Sequence, residues 1–110
     1  MTPAATYKLE DEAAEDLVDV VEFYNAQQDG LGEELCDLLF LKLEEAVVPS
    51  PRVYVRHERN PRVHIYRLQR FPVRIFYRVD DDVVVVVAVE HMKAEPDRWR
   101  GRLIEPDEDE

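Results

Sequence analysis

The hydrophobic pattern changes period partway through RFPVRIFYRVDDDVVVVVAVEH, residues 70–91. Val73, Ile75, Tyr77 and Val79 alternate with Arg74, Phe76 and Arg78, which predicts a strand with one apolar and one basic face. Asp80, Asp81 and Asp82 supply a turn, because Asp tolerates left-handed backbone angles. Residues 83–89 are then apolar without alternation, the pattern of a central strand covered on both faces. Seven such residues are too few to cross a bilayer. A hairpin this apolar is not stable alone in water, so the rest of the chain must cover it.

Two amphipathic segments precede it. In the first, Ala14, Leu17, Val18, Val21 and Tyr24 recur at helical spacing, with Glu12, Glu15, Asp16, Asp19 and Glu22 largely off that stripe. Glu10 or Asp11 is placed to cap it, and acids there favour the positive helix end. Gly30 suits a left-handed C-cap, with Leu31 packed beneath the turn. A second helix is predicted over 33–48, stopped by Pro49 and Pro51. Its apolar set, which includes Leu35, Leu38, Leu39, Phe40, Leu41 and Leu43, is wider than one core stripe. Either the helix lies between sheet and first helix, or its surplus edge meets a partner chain. A short connection makes the pair an antiparallel helical hairpin.

Residues 6–9, TYKL, could add an edge strand. Residues 53–56 form a weak pairing segment and 63–69 a further strand, interrupted by Arg70-Phe71-Pro72. A short helical turn over 97–103 follows the central strand. The fold class is α+β: an N-terminal antiparallel helical hairpin on a small, mainly antiparallel sheet. The expected division is one domain, 1–104, with an acidic disordered tail, 105–110.

Charge refines this picture. The net charge is -11, but residues 1–50 hold two lysines against thirteen acids, while 51–79 hold eight arginines against Glu58 alone. Residues 105–110 add five acids and no cation. The positive charge thus sits on the sheet segment, either as a surface facing a polyanion or as ordinary strand-edge arginine. Arginine supplies most of the cations, and with the acid excess this would also suit a high-salt cytoplasm. Cys36 is the single cysteine, which excludes an internal disulfide and suggests a buried thiol. Three scattered histidines and one cysteine lack metal-site spacing, so no metal or cofactor is expected. The first twelve residues carry no basic end followed by an apolar run, so a cytoplasmic location is expected, without membrane contact.

The order strand, helical hairpin, strand meander and short basic helix resembles the RelE/ParE toxin superfamily of type II toxin–antitoxin modules, over 7–103. Gly30-Leu31-Gly32, Arg70-Phe71-Pro72 before Ile75 and Tyr77, Ala88-Val89 with His91, then Pro96, Trp99 and Arg102 carry the resemblance. It departs at Val73, where the family usually has Tyr, and at Ala94, where it has Arg.

The resemblance implies a growth-inhibiting, plasmid-stabilisation type of toxin with a cognate antitoxin in a hetero-oligomer. A RelE-like member cleaves mRNA on the ribosome, a reaction needing a base, an acid and cations against the developing phosphorane charge. The implied catalytic set is His91, Arg70, Lys93 and Tyr77, with His64, Arg67 and Arg98 as further candidates and Tyr66 as an alternative base platform. His57 is read as a solvated loop residue. A ParE-like member binds DNA gyrase and needs only a contact surface, for which Arg62, Arg67, Arg70, Arg74, Arg98, Trp99 and Arg102 are the implied residues. The bland readings are a structural hydrogen bond for His91 and a core plug for Trp99. The antitoxin would meet Leu38, Phe40 and Leu41. Ala94, in place of an arginine, favours the protein-binding toxin over the nuclease, and an acidic detoxified binding module is a third reading.

Overall fold

The computed structural model describes residues 6–92. The predicted turn at 97–103, with Lys93, Arg98, Trp99 and Arg102, and the acidic segment 105–110 lie outside the described residues. Strand β1 (Thr6–Leu9) leads into α1 (Asp11–Gln27) and α2 (Leu31–Lys42). A π-helical turn, Leu43–Val47, extends α2 before β2 (His64–Arg67), β3 (Val73–Asp80) and β4 (Val83–His91). The sheet order is β1-β4-β3-β2, with β1 parallel to β4 and the other pairs antiparallel. The helical hairpin covers one face, which is the expected α+β architecture.

Strand β4 is apolar without alternation because both of its faces are buried, and a bulge sets which residue faces which side. Phe76 pairs with Ala88 but Tyr77 pairs with Val86, so Val87 is an extra residue in the ladder. The bulge shifts the side-chain phase. Val84, Val86 and Val89 face the helices, whereas Val85, Val87 and Ala88 join Phe76 and Val63 in a second cluster on the opposite face. Asp81, at φ 54°, takes the left-handed position of the β3–β4 turn.

β1 covers only the first half of β4, pairing with Val83 to Val86. Beyond it Asp16 accepts a hydrogen bond from the Val89 N–H (3.2 Å) and is itself buried. This corrects the first-helix stripe. The buried face is Ala13, Asp16, Leu17, Val20 and Tyr24, whereas Val18 is exposed. A buried backbone donor without a partner would cost about 1–3 kcal/mol, and the Asp16 carboxylate on the apolar face removes that cost.

The two helices meet through Gly32. A Cβ there would lie 2.4 Å from the Val21 carbonyl oxygen, so only glycine allows this approach. Asn25 of α1 accepts from the Gly32 N–H (2.7 Å), supplying an N-terminal cap for α2 from the neighbouring helix. Gly30 is left-handed (φ 85°) as expected, but it is the N-cap residue of α2 rather than the C-cap of α1. The second helix therefore starts two residues earlier than the sequence pattern predicts.

The two glycines should fail differently. Gly32→Ala forces the helices apart and should cost about 2–3 kcal/mol in urea unfolding. Gly30→Ala meets open space and carries only the left-handed strain, about 1 kcal/mol. Equal losses would contradict the close-approach account.

Candidate functional site

The outward face of the hairpin carries Arg74 and Arg78, and these two and Arg70 are matched by the chain's own carboxylates. Arg74 binds Glu90 directly opposite on β4. Arg78 reaches Glu10 (3.2 Å) and Asp80 (2.9 Å), and Arg70 pairs with Glu34 (2.8 Å) while lying over the Phe71 ring. The Arg74–Glu90 pair matters most, because Arg67 faces Arg74 across β2 and β3. Without Glu90, two guanidinium groups would stand opposed on adjacent strands. The pair is also partly dry: the Glu90 side chain is only 10% exposed.

The remaining cations cluster elsewhere. Arg52, Arg56, Arg59 and Arg67 are exposed, and none has a carboxylate partner among the described residues. Arg62 is exposed and already partnered. The first three lie on the segment that flanks β2. His57 N–H donates to the Val63 carbonyl (2.7 Å) and Ile65 N–H to that of Val55 (2.8 Å), making an isolated antiparallel bridge at Arg56 and His64. The weak pairing segment expected at 53–56 is therefore present, as a rim to the sheet. Val53 and Val55 on it are 55% and 68% exposed. The rim combines exposed guanidinium groups, of which that of Arg56 donates to the Pro61 carbonyl (3.2 Å), with bare apolar side chains, the composition of a contact surface.

His57 holds this rim in shape. Its Nδ1 accepts from the Arg59 N–H (3.0 Å) and the Asn60 N–H (3.2 Å), and its ring packs on Phe76. Burial holds its pKa below the ordinary histidine value, with Arg74 and Arg59 adding to the shift and Glu58 and Glu90 opposing it. The sequence suggested a solvated loop residue. Nothing in its spacing signals that two backbone amides converge on the ring.

The candidate acid–base residues are placed apart. His91 is buried on the helix side, with Nε2 3.0 Å from the Tyr24 hydroxyl and the ring against Phe23. Phe71 packs edge-on against Tyr24, so Arg70, Phe71, Tyr24 and His91 form one run at the end of the sheet. Tyr77 belongs to the other end. Val73 is the residue opposite His91, and four strand residues place Tyr77 about 13 Å further on. Tyr77 is fully buried, stacks on His64 and donates to the Pro51 carbonyl (2.6 Å). Burial raises its pKa far above the ordinary tyrosine range, so its phenol stays protonated. His64 is likewise buried, and its Nδ1 hydrogen-bonds the Tyr54 carbonyl (2.9 Å), which requires that nitrogen to carry the proton. Tyr66 packs edge-on against Tyr54.

On α2, Leu41 is exposed and Leu38 half-buried, about 60° apart round the helix. Phe40 projects to another side and stacks on Tyr7 of β1 (6.1 Å). The three therefore form two small edges rather than one patch. Cys36 is half-buried, and burial with Asp37 and Glu33 nearby raises its pKa, keeping the thiol protonated and poorly nucleophilic. No helix among the described residues is long and apolar enough to cross a membrane.

A helical hairpin on a four-stranded mixed sheet, with a parallel first strand, is the architecture of toxins from solved toxin–antitoxin systems. A structure of the chromosomal ParDE system from P. aeruginosa matches with TM-score 0.69 at 16% identity, covering 80% of this chain and 96% of that one. An E. coli RelE mutant in complex with an antitoxin RelBc peptide matches with TM-score 0.57 at 23% identity, covering 94% and 97%. The RelBE2 complex from Mycobacterium tuberculosis matches with TM-score 0.53 at 20% identity, covering 82% and 99%. No curated protein matches the sequence. Residues 7–96 match the family described as ParE toxin of type II toxin–antitoxin system, parDE, and the chain belongs to that family.

Two measurements check the electrostatic framework. Glu90→Gln should lower stability by about 2 kcal/mol, less than for a fully buried pair because Arg74 keeps some solvent. Adding Arg74→Gln should recover much of that loss. His57 should make stability pH-dependent. Its folded pKa is depressed, so between that value and 6.5 the unfolded chain binds more protons. Stability from this group is therefore complete above 6.5 and is lost as pH falls through the folded value. Urea midpoints of the native protein, compared with His57→Gln from pH 7.5 to 5, should show this loss only in the native protein.

Proposed function

We propose that this chain is a ParE-like toxin that acts in the cytoplasm by binding DNA gyrase, and that a cognate antitoxin neutralises it. The observation that carries this reading is where reactive and exposed groups lie. His91, His64 and Tyr77 are buried and hydrogen-bonded within the fold, while the exposed cations sit beside bare valines on the rim. A protein-binding mode needs such a surface and no poised acid–base pair. The family match to ParE supports the same reading, and the ParDE and RelBE relatives, solved as toxin–antitoxin systems, support an antitoxin partner. Leu41 with Leu38 on α2 is an edge that such a partner could cover.

The test uses purified protein in gyrase supercoiling and DNA-cleavage assays. Inhibited supercoiling with accumulated cleaved complexes is expected, weakened about tenfold by combined Arg52→Gln, Arg59→Gln and Arg67→Gln at unchanged thermal stability. An inactive protein that instead produced codon-linked mRNA cuts, abolished by His91→Ala, would replace this reading with the ribosome-dependent endoribonuclease. Inactivity in both assays with normal growth on induction would leave a detoxified binding module.

A further inference from the structure

The part of the rim that carries Arg56, Arg59 and Arg62 doubles back on itself, and it closes through two side chains, His57 and Asn60. The His57 Nδ1 accepts from the Arg59 N–H (3.0 Å) and from the Asn60 N–H (3.2 Å). Asn60, itself buried, accepts from the Arg62 N–H at Oδ1 (3.2 Å) and from the Val63 N–H at its carbonyl (2.9 Å). The Val63 carbonyl accepts in turn from the His57 N–H (2.7 Å), and Arg56 donates to the Pro61 carbonyl (3.2 Å). The first link of this closed turn is an imidazole nitrogen.

That nitrogen can accept from two N–H donors only while it carries no proton, so the neutral ring holds its proton on Nε2. Protonation at Nδ1 converts the acceptor into a donor that faces two donors, and both links are lost. The groups around the ring are Glu58 and Arg59 on its own turn, Arg74 on β3 and Glu90 on β4, with the Phe76 ring of β3 against it. Burial first, then Arg74 and Arg59, disfavour a charge on the ring, while Glu58 and Glu90 favour it and Glu90 is already committed to Arg74. The turn is therefore closed above the ordinary histidine value and opens as pH falls through the lower folded one. The two links lie within 57–60, and the β3–β4 ladder takes no part in them.

We propose that His57 is a pH-gated positioning residue for the rim: its neutral ring latches the turn that places Arg56, Arg59 and Arg62, and protonation releases that turn while the sheet beneath stays folded. The latch is a property of the fold. Its use rests on the reading of the rim as the gyrase-binding surface, since a partner that selects the closed turn meets fewer competent molecules as pH falls.

Backbone-amide NMR of the full chain from pH 7.5 to 5 reads the latch directly. The Arg59 and Asn60 amides should lose hydrogen-exchange protection in step with titration of the His57 ring, while the β3–β4 amides keep theirs. His57→Asn retains an acceptor on the same branch of the side chain without a titrating ring, so it should keep both amides protected throughout. His57→Phe retains a ring against Phe76 but no acceptor, so both amides should be unprotected even at pH 7.5. Binding to purified gyrase reads the use of the latch. At pH 7.5 His57→Phe should bind about tenfold more weakly than the native protein, through lost preorganisation, and His57→Asn should rescue the affinity. Between pH 7.5 and 6 the native protein should weaken relative to His57→Asn, a comparison that cancels the pH response of gyrase itself. Protection at Arg59 and Asn60 that persisted after the ring had titrated would overturn the proposal. So would equal gyrase affinity for His57→Phe and the native protein. Amides that behave as described, with no gyrase binding by any of the three proteins, would uphold the latch and strike the gyrase reading instead.

Discussion

Strand β4 has two edges and two faces, and all four must be kept from water. Its apolar run cannot be solvated, and its amides cannot be left without acceptors. β3 occupies one edge along its length. β1 occupies the other only as far as Val86, and Glu10 N–H then donates to the Val86 carbonyl (3.0 Å) as the chain turns into α1. Past that point the helix takes over, with the Asp16 carboxylate serving the Val89 amide. The helix position is thus fixed by hydrogen-bond demand as well as by apolar contact. Gly32 then sets how closely α2 can follow.

The same strand divides the molecule into two environments. On the helix side lie the large aromatic residues, Tyr24, Phe71 and Tyr77, with His91 and His64 drawn into the core beside them. On the other side lies the smaller cluster around Phe76, bordered by arginines that are mostly committed to nearby acids. Among the described residues, the exposed arginines without a carboxylate partner lie on the segment bridging to β2 and on β2 itself. Function follows from that division. A residue type suited to catalysis is not available for it when it is buried and its polar atom is committed to a partner within the fold.

Much of this was legible in the sequence, for physical reasons that differ by element. β3 alternates cleanly, and the Asp turn has few conformations open to it, so the hairpin could be placed within two residues. The helical hairpin followed from spacing and from Gly30. The phase of α1 was not legible, because Val18 is apolar yet exposed and Asp16 is charged yet buried; its reason for burial is an amide seventy-three positions away. The parallel pairing of β1 was invisible for the same cause, since four residues of β-prone sequence state no direction. At the candidate site, composition pointed to the arginines but could not separate Arg74, Arg70 and Arg78, which are matched internally, from Arg52, Arg56, Arg59 and Arg67. The difference lies in Glu90, Glu34 and Glu10, none adjacent in sequence to the arginine it serves.

The first strand joins the sheet beside the last. Thr6 to Leu9 can dock only after Val83 to Val86 have been made, so the first described strand waits for the last. Nearly all of the described residues form a single loop that must close before the sheet is complete, and such non-local pairing is slow. During synthesis the helical hairpin therefore has no complete sheet to rest on, and the nascent chain is not yet a finished toxin. Completion of the sheet waits for Val83 to Val86, which leaves an interval in which an inhibitor made alongside can already be present.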